Sequence, residues 1–329
     1  MLILVHDRKD DRKLKRLIVP IICIPLLILS ACKEEPSNDQ ARAETVKIDQ
    51  DSELNIVPLY VSYQKYLNAS LEAFDSECSK KNYAKYVLHE IDRVGKQEQF
   101  DPTSLKEYFM LQSTAYPEAL LDRIDALFKR QDDIKKIITK NYTIAHDVLP
   151  KKKSTIFIAP LNSEYIRMTE SMGGVAAAAY KDTFILYLDS DFDENVLAYT
   201  IAHEYHHLIL QDRPEYQMNN VLDSAIVEGK ADAFAERILK GMKPPWAIPM
   251  DTSTKKHVAQ LIHSGEASYE DMIDGNTEKK LPRWSNYNLG RDIIDHYISS
   301  HPNASIKEWS FATEDDLLEG YTYQKLLQQ

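Results

Sequence analysis

Three residues of one short stretch raise the first chemical question. His203, Glu204 and His207 form His-Glu-x-x-His within Ala202-His203-Glu204-Tyr205-His206-His207-Leu208. On a helix, residues four apart lie one turn above each other on the same face. Both imidazoles then reach a single ion, and Glu204 projects beside them. Two neutral imidazoles and an adjacent carboxylate are the parts of a hydrolytic zinc site: the rings hold the ion, and the carboxylate takes a proton from the water that the ion activates. Neighbouring helix positions point about 100° apart. His206 is therefore expected to be an outer neighbour of the site, or to face solvent, rather than to be a ligand.

A site of this kind takes a third protein ligand and leaves the fourth position to water. The best supplier is Glu228, in Ala225-Ile226-Val227-Glu228-Gly229-Lys230-Ala231-Asp232. It follows His207 by 21 residues, enough for one helix to turn and a second to pack back against it. Asp232 falls one turn after Glu228, where it can accept the other N–H of a ligand histidine and fix its tautomer. Gly229 permits a close helix approach.

The elements that must position these side chains are legible around them. Val196 to Ala202 and Leu208 to Leu210 place the motif in a mostly apolar helix. Such a helix is buried, and buried His and Glu need partners. Asp191 and Asp193 are candidate caps, and Asp212-Arg213-Pro214 ends the helix. A second helix is expected from about Val221 to Leu239. Before them, Thr155 to Pro160 and Thr183 to Leu188 read as strands rich in β-formers. Val175 to Tyr180 is alanine-rich and fits either a helix or a strand. The strand is favoured, paired with its successor through a turn at Lys181-Asp182. Lys151-Lys152-Lys153 reads as a solvated turn. Upstream, apolar residues at helical spacing predict a helical region over 58–150, with a stop at Gly95, a helix from Asp101 through Phe109 and Met110, and another from Pro117. It carries no chemical motif, and Tyr60, Tyr63 and Tyr66 are read as core. With nine glycines, the chain is predicted to be α+β and mainly helical.

Taken together, His203-Glu204-x-x-His207 and Glu228-x-x-x-Asp232 resemble the gluzincin group of metallopeptidases, of which thermolysin is the familiar member. More narrowly, His-Glu-Tyr-His-His followed by Glu-Gly-Lys-Ala-Asp resembles the YjaZ-type predicted zinc-dependent proteases, from roughly Thr155 to Leu327. The metzincin pattern is absent, because positions 210 and 213 are Leu and Arg. The resemblance implies a zincin-like catalytic domain over 151–329, with a small antiparallel sheet and two metal-ligand helices. It also implies that Val175, Ala176, Ala177, Ala178 and Ala179 lie on the edge strand that pairs with an extended substrate. Tyr287, in Tyr287-Asn288-Leu289-Gly290, fits the family pattern as well. Its hydroxyl is the kind of donor that stabilises an oxyanion, beside the alternative of a core tyrosine. One Zn2+ ion is the implied cofactor.

The start of the chain points to a membrane. Six Lys and Arg precede the apolar run Leu17 to Leu29, which is too short and too proline-broken to span a bilayer. Leu29-Ser30-Ala31-Cys32 resembles a bacterial lipobox, which implies a signal peptide over 1–31 and a lipid on Cys32. Residues 32–57 then read as a flexible tether. The expected location is extracytoplasmic and lipid-anchored; Lys33 implies the outer membrane, facing the periplasm, if the cell is Gram-negative. With the six basic and three acidic residues of the first 31 set aside, 34 Lys and Arg face 48 Asp and Glu, a net charge of −14. That balance disfavours nucleic acid as a partner. Beyond Cys32 only Cys78 remains, read as a small buried residue. The expected function is a membrane-anchored zinc metallopeptidase acting on peptides or proteins. The alternatives are a zinc amidase acting on cell-wall material and a non-catalytic, zinc-braced lipoprotein that binds a partner.

Overall fold

Three runs of β-branched and aromatic residues form the centre of a five-stranded sheet: β2 (Glu53–Pro58), β3 (Lys153–Pro160) and β5 (Thr183–Leu188). They are parallel and buried almost throughout, which is why apolar residues run on without alternation in Ile156-Phe157-Ile158 and Phe184-Ile185-Leu186. β1 (Glu44–Lys47) and β4 (Val175–Tyr180) add antiparallel edges, giving the order β1-β2-β3-β5-β4. In this computed structural model the described residues are 42–328, apart from 74, 214, 215 and 217. The expected signal segment, Cys32 and the part of the expected tether up to residue 41 lie outside them.

The α+β, mainly helical class holds, and β4 is a strand that returns into β5 through Lys181, whose φ is 52°. Other expectations need correction. The sheet is mixed, not antiparallel, because β2 pairs in parallel with β3 from the far side of the helical region (Ile56 with Ile156). Residues 44–58 are therefore not tether: Leu54, Ile56 and Val57 are buried in the sheet. Position 150 does not divide the described residues either, which form one compact unit. Lys151 does not belong to a solvated turn; it is buried, 2.8 Å from Asp182 and 2.7 Å from Asp212, so two carboxylates offset the cost of burying its charge. The helix at Gly95 runs on to Glu98 and ends at Gln99 in a left-handed conformation. The helix begun at Thr103 stops at Lys106. Cys78 is half-buried.

Helices cover both faces of the sheet. Phe100 and Tyr108, from the N-terminal helical region, meet Phe157 and Tyr187 on one face, with ring centroids 6.2 and 5.9 Å apart. On the other face, the Tyr142 hydroxyl in Gln131–Val148 bonds Ser154 Oγ at 2.8 Å. Tyr142 also meets, edge to face, Tyr205 of the motif helix, Glu194–Gln211. Asp193 caps that helix, accepting the Asn195 and Val196 N–H groups at 2.7 and 3.2 Å. Asp193→Ala leaves these donors without their acceptor and should cost about 1 kcal/mol of stability. Urea unfolding measures this; an unchanged midpoint would show that the cap contributes nothing.

Candidate active site

The motif helix is buried from Thr200 to Leu210, so its histidines face protein rather than water. The helix Val221–Ile238 packs against it, and the helix Ser285–Ser300 packs on Val221–Ile238 in turn. At this second crossing Gly229 meets Gly290, and an added Cβ on either would overlap the other helix's backbone.

This packing brings three donor atoms together. His203 Nε2 lies 3.0 Å from His207 Nε2 and 3.1 Å from Glu228 Oε2, while His207 Nε2 lies 3.5 Å from Glu228 Oε2. Ligand atoms around a tetrahedral zinc at ordinary bond lengths lie about 3.3 to 3.5 Å apart. The triangle therefore needs only small adjustments to hold an ion, and the donor set suits one. The donor atoms of His203, Glu204 and His207 also lie within 4.8 Å of one another. Glu228 Oε2, at 3.1 and 3.5 Å from the two ring nitrogens, is closer to both than that limit.

Charge at the site follows from burial and pairing. Burial works against a charged His203, yet the bonds to Asp232 and Glu228 outweigh it and hold its pKa well above the ordinary value. Burial works to raise the Glu228 pKa too; His207 and the bond from His203 pull it far below the usual carboxylate range. Glu204 differs: burial pushes its pKa up, against the pull of His207 and His203. A carboxyl shifted in that direction is a better proton acceptor when ionised.

Asp232 Oδ1 lies 2.9 Å from His203 Nδ1. Two of its partners were missed in the sequence. The Tyr199 hydroxyl donates to Oδ1 at 3.0 Å, and Trp246 Nε1 lies 3.3 Å from Oδ2. Tyr199 sits one turn before His203, so helical spacing could have found it. Trp246 arrives from a loop with no such signal. Asp232→Ala should weaken zinc binding about 10- to 100-fold by freeing the His203 ring. Chelator competition measures this, and unchanged affinity would remove Asp232 from the site. His206 is neither a neighbour of the donor triangle nor solvent-facing. It points away into the core, 2.9 Å from Ser310 Oγ and against Phe234 and Trp309, and burial holds it neutral.

The triangle opens into a cleft of about 730 Å³. Ala176 to Ala179 of β4 form one wall, at the edge of the sheet where the expected substrate strand was placed. The Tyr287 ring stacks on His203 with centroids 6.0 Å apart and borders the cleft. Burial, and then Glu228, push its pKa well upward, so the phenol keeps its proton and remains a donor. Tyr108, Phe109, Tyr216 and Tyr269 also line the cleft, and no motif marked them. Cys32 lies outside the described residues.

The buried histidines and carboxylates could hold a metal ion, and the family comparison points to zinc. The model of the family described as "Predicted Zn-dependent protease (DUF2268)" matches residues 134–319, more than half of the chain, and the chain belongs to that family. It is also similar to "Uncharacterized protein YjaZ" of Bacillus subtilis (strain 168), 24% identical over 156 residues. That alignment covers 44% of this chain and 59% of the relative, so the chain spans less than two thirds of that protein's length. No solved structure matches.

Proposed function

We propose that this protein is a gluzincin-like zinc metallopeptidase with one ion in the His203, His207 and Glu228 triangle, tethered by lipid on Cys32 outside the cytoplasm. The observation that carries the catalytic part is the convergence of those three donors at 3.0 to 3.5 Å at the floor of a cleft. The tether rests on Leu29-Ser30-Ala31-Cys32 and on the basic, apolar segment before it. Among the described residues, no helix is long and apolar enough to cross a membrane.

Bound in the triangle, zinc supplies Lewis acidity, acidifying a water and polarising a carbonyl. The chain's own residues do the rest. The free edge of β4 offers backbone donors and acceptors to an extended peptide, and its small side chains let that backbone come close. A Glu204 carboxylate oxygen takes the proton from the attacking water and passes it to the departing amine, so the carboxylate ends as it began. The Tyr287 Oη–H donates to the carbonyl oxygen as negative charge gathers there. Asp232, held by Tyr199 and Trp246, keeps the His203 Nδ1 proton in place and so aims Nε2 into the cleft.

The test is hydrolysis by zinc-loaded protein of casein and, in parallel, of muropeptides. Casein cleavage that is lost on chelation and restored by zinc supports a peptidase. Cleavage of muropeptides alone would make it an amidase, and neither activity would remove the hydrolytic reading.

A further inference from the structure

The segment between the short helix Thr103–Lys106 and Pro117 lies outside the family-matched residues, yet it builds one wall of the cleft. Thr103–Lys106 packs against β4. The Tyr108 ring rests between Tyr187, at 5.9 Å, and Phe109, at 4.7 Å. The backbone beyond is pinned: the Tyr165 hydroxyl donates to the Phe109 carbonyl at 2.8 Å, and Asn162 Nδ2 donates to the Gln112 carbonyl at 2.9 Å. The Phe109 ring meets Tyr165 edge to face at 5.6 Å. Despite this fixed backbone, the Phe109 side chain is 52% exposed. Met218 and Tyr269, at 50% and 40%, are exposed on the lining of the same cleft. Large apolar side chains gathered around one concave surface mark a place that a ligand covers.

Charge narrows the ligand. The lining carries the carboxylates of Glu204, Glu228 and Asp274, and no Lys or Arg among the described residues. An acidic side chain against this wall would find no Lys or Arg to pair with. Tyr108, Phe109 and Glu204 line the same cleft, so a chain bound there meets both this wall and the residue proposed to move the proton.

We infer that Tyr108 and Phe109 form the specificity wall of the cleft, taking a large apolar or aromatic side chain of an extended polypeptide beside the bond that is cut. This rests on the peptidase reading. It adds that a segment outside the family-matched stretch selects the substrate, and that unfolded, apolar stretches of protein are the substrate class.

The experiment uses the zinc-loaded full chain in detergent with dye-labelled alanine hexapeptides carrying one Phe, Leu, Ala or Glu. Wild-type protein should prefer Phe and Leu over Ala, and Ala over Glu. Phe109→Ala should lower kcat/KM for the Phe and Leu peptides about tenfold, mainly through KM, and leave the Ala peptide within about twofold. Phe109→Leu should restore most of the loss. Because Phe109 is half exposed, its truncation does not empty the core. An equal effect on all four peptides, or none, overturns the wall. If wild-type protein cuts no peptide, the peptidase reading fails, and binding then decides the wall by itself. Fluorescence anisotropy of the Phe peptide should show about tenfold weaker binding to Phe109→Ala/Glu204→Gln than to Glu204→Gln protein; equal binding overturns it.

Discussion

Glu204→Gln protein is expected to hold as much zinc as wild type and to lose at least about 10²-fold in kcat, the lower end of what a positioned general base contributes. The substitution keeps shape and volume, and it leaves His203, His207 and Glu228 untouched. What disappears is the oxygen that accepts a proton at the side of the donor triangle. Neutral Gln also removes a buried carboxylate that burial already strains toward protonation, so the fold should not suffer. Metal content and steady-state turnover on casein measure the two halves. Full activity in this variant would end the role assigned to Glu204. Lost zinc would make Glu204 a ligand.

Gly229→Ala should be strongly destabilising for the addition of a single methyl group. Its Cβ would overlap the Gly290 carbonyl carbon, and Gly290→Ala would overlap the Ala225 carbonyl oxygen. Both obstacles are backbone, so no side chain can swing aside. The helices must separate, and Glu228, next to Gly229, must move with its helix. Overpacking of this kind costs about 3 kcal/mol or more, since the usual range assumes neighbours that can yield. Urea unfolding of the apo-protein should show the loss, and zinc affinity should fall with it because the third donor leaves its place. Wild-type stability in either variant would mean that the two helices do not cross as closely as described.

The chemistry was legible in the sequence where it is local, and illegible where it depends on distant chain. His203 and His207 share a face because of helical spacing alone, and Asp193 caps their helix by the same short-range logic. Glu228 and Asp232 could be proposed because one turn separates them and a ligand was missing. β2 was hidden because Glu53-Leu54-Asn55-Ile56 is short and preceded by charge, and its partner β3 lies beyond the whole helical region. Lys151 looked like one of three solvated charges because Asp182 and Asp212, which allow its burial, sit 31 and 61 residues away. Trp246 and the Tyr108–Phe109 wall reach the site from loops whose course no periodicity records.

The most direct measurement is X-ray absorption at the zinc edge on zinc-loaded wild-type protein, beside Glu228→Ala. The expected result is one zinc per chain with two imidazole nitrogens, one carboxylate oxygen and one solvent ligand, and loss of the carboxylate together with much of the affinity in the variant. Four protein ligands around the ion, or a spectrum that Glu228→Ala leaves unchanged, would contradict a catalytic centre built on this triangle.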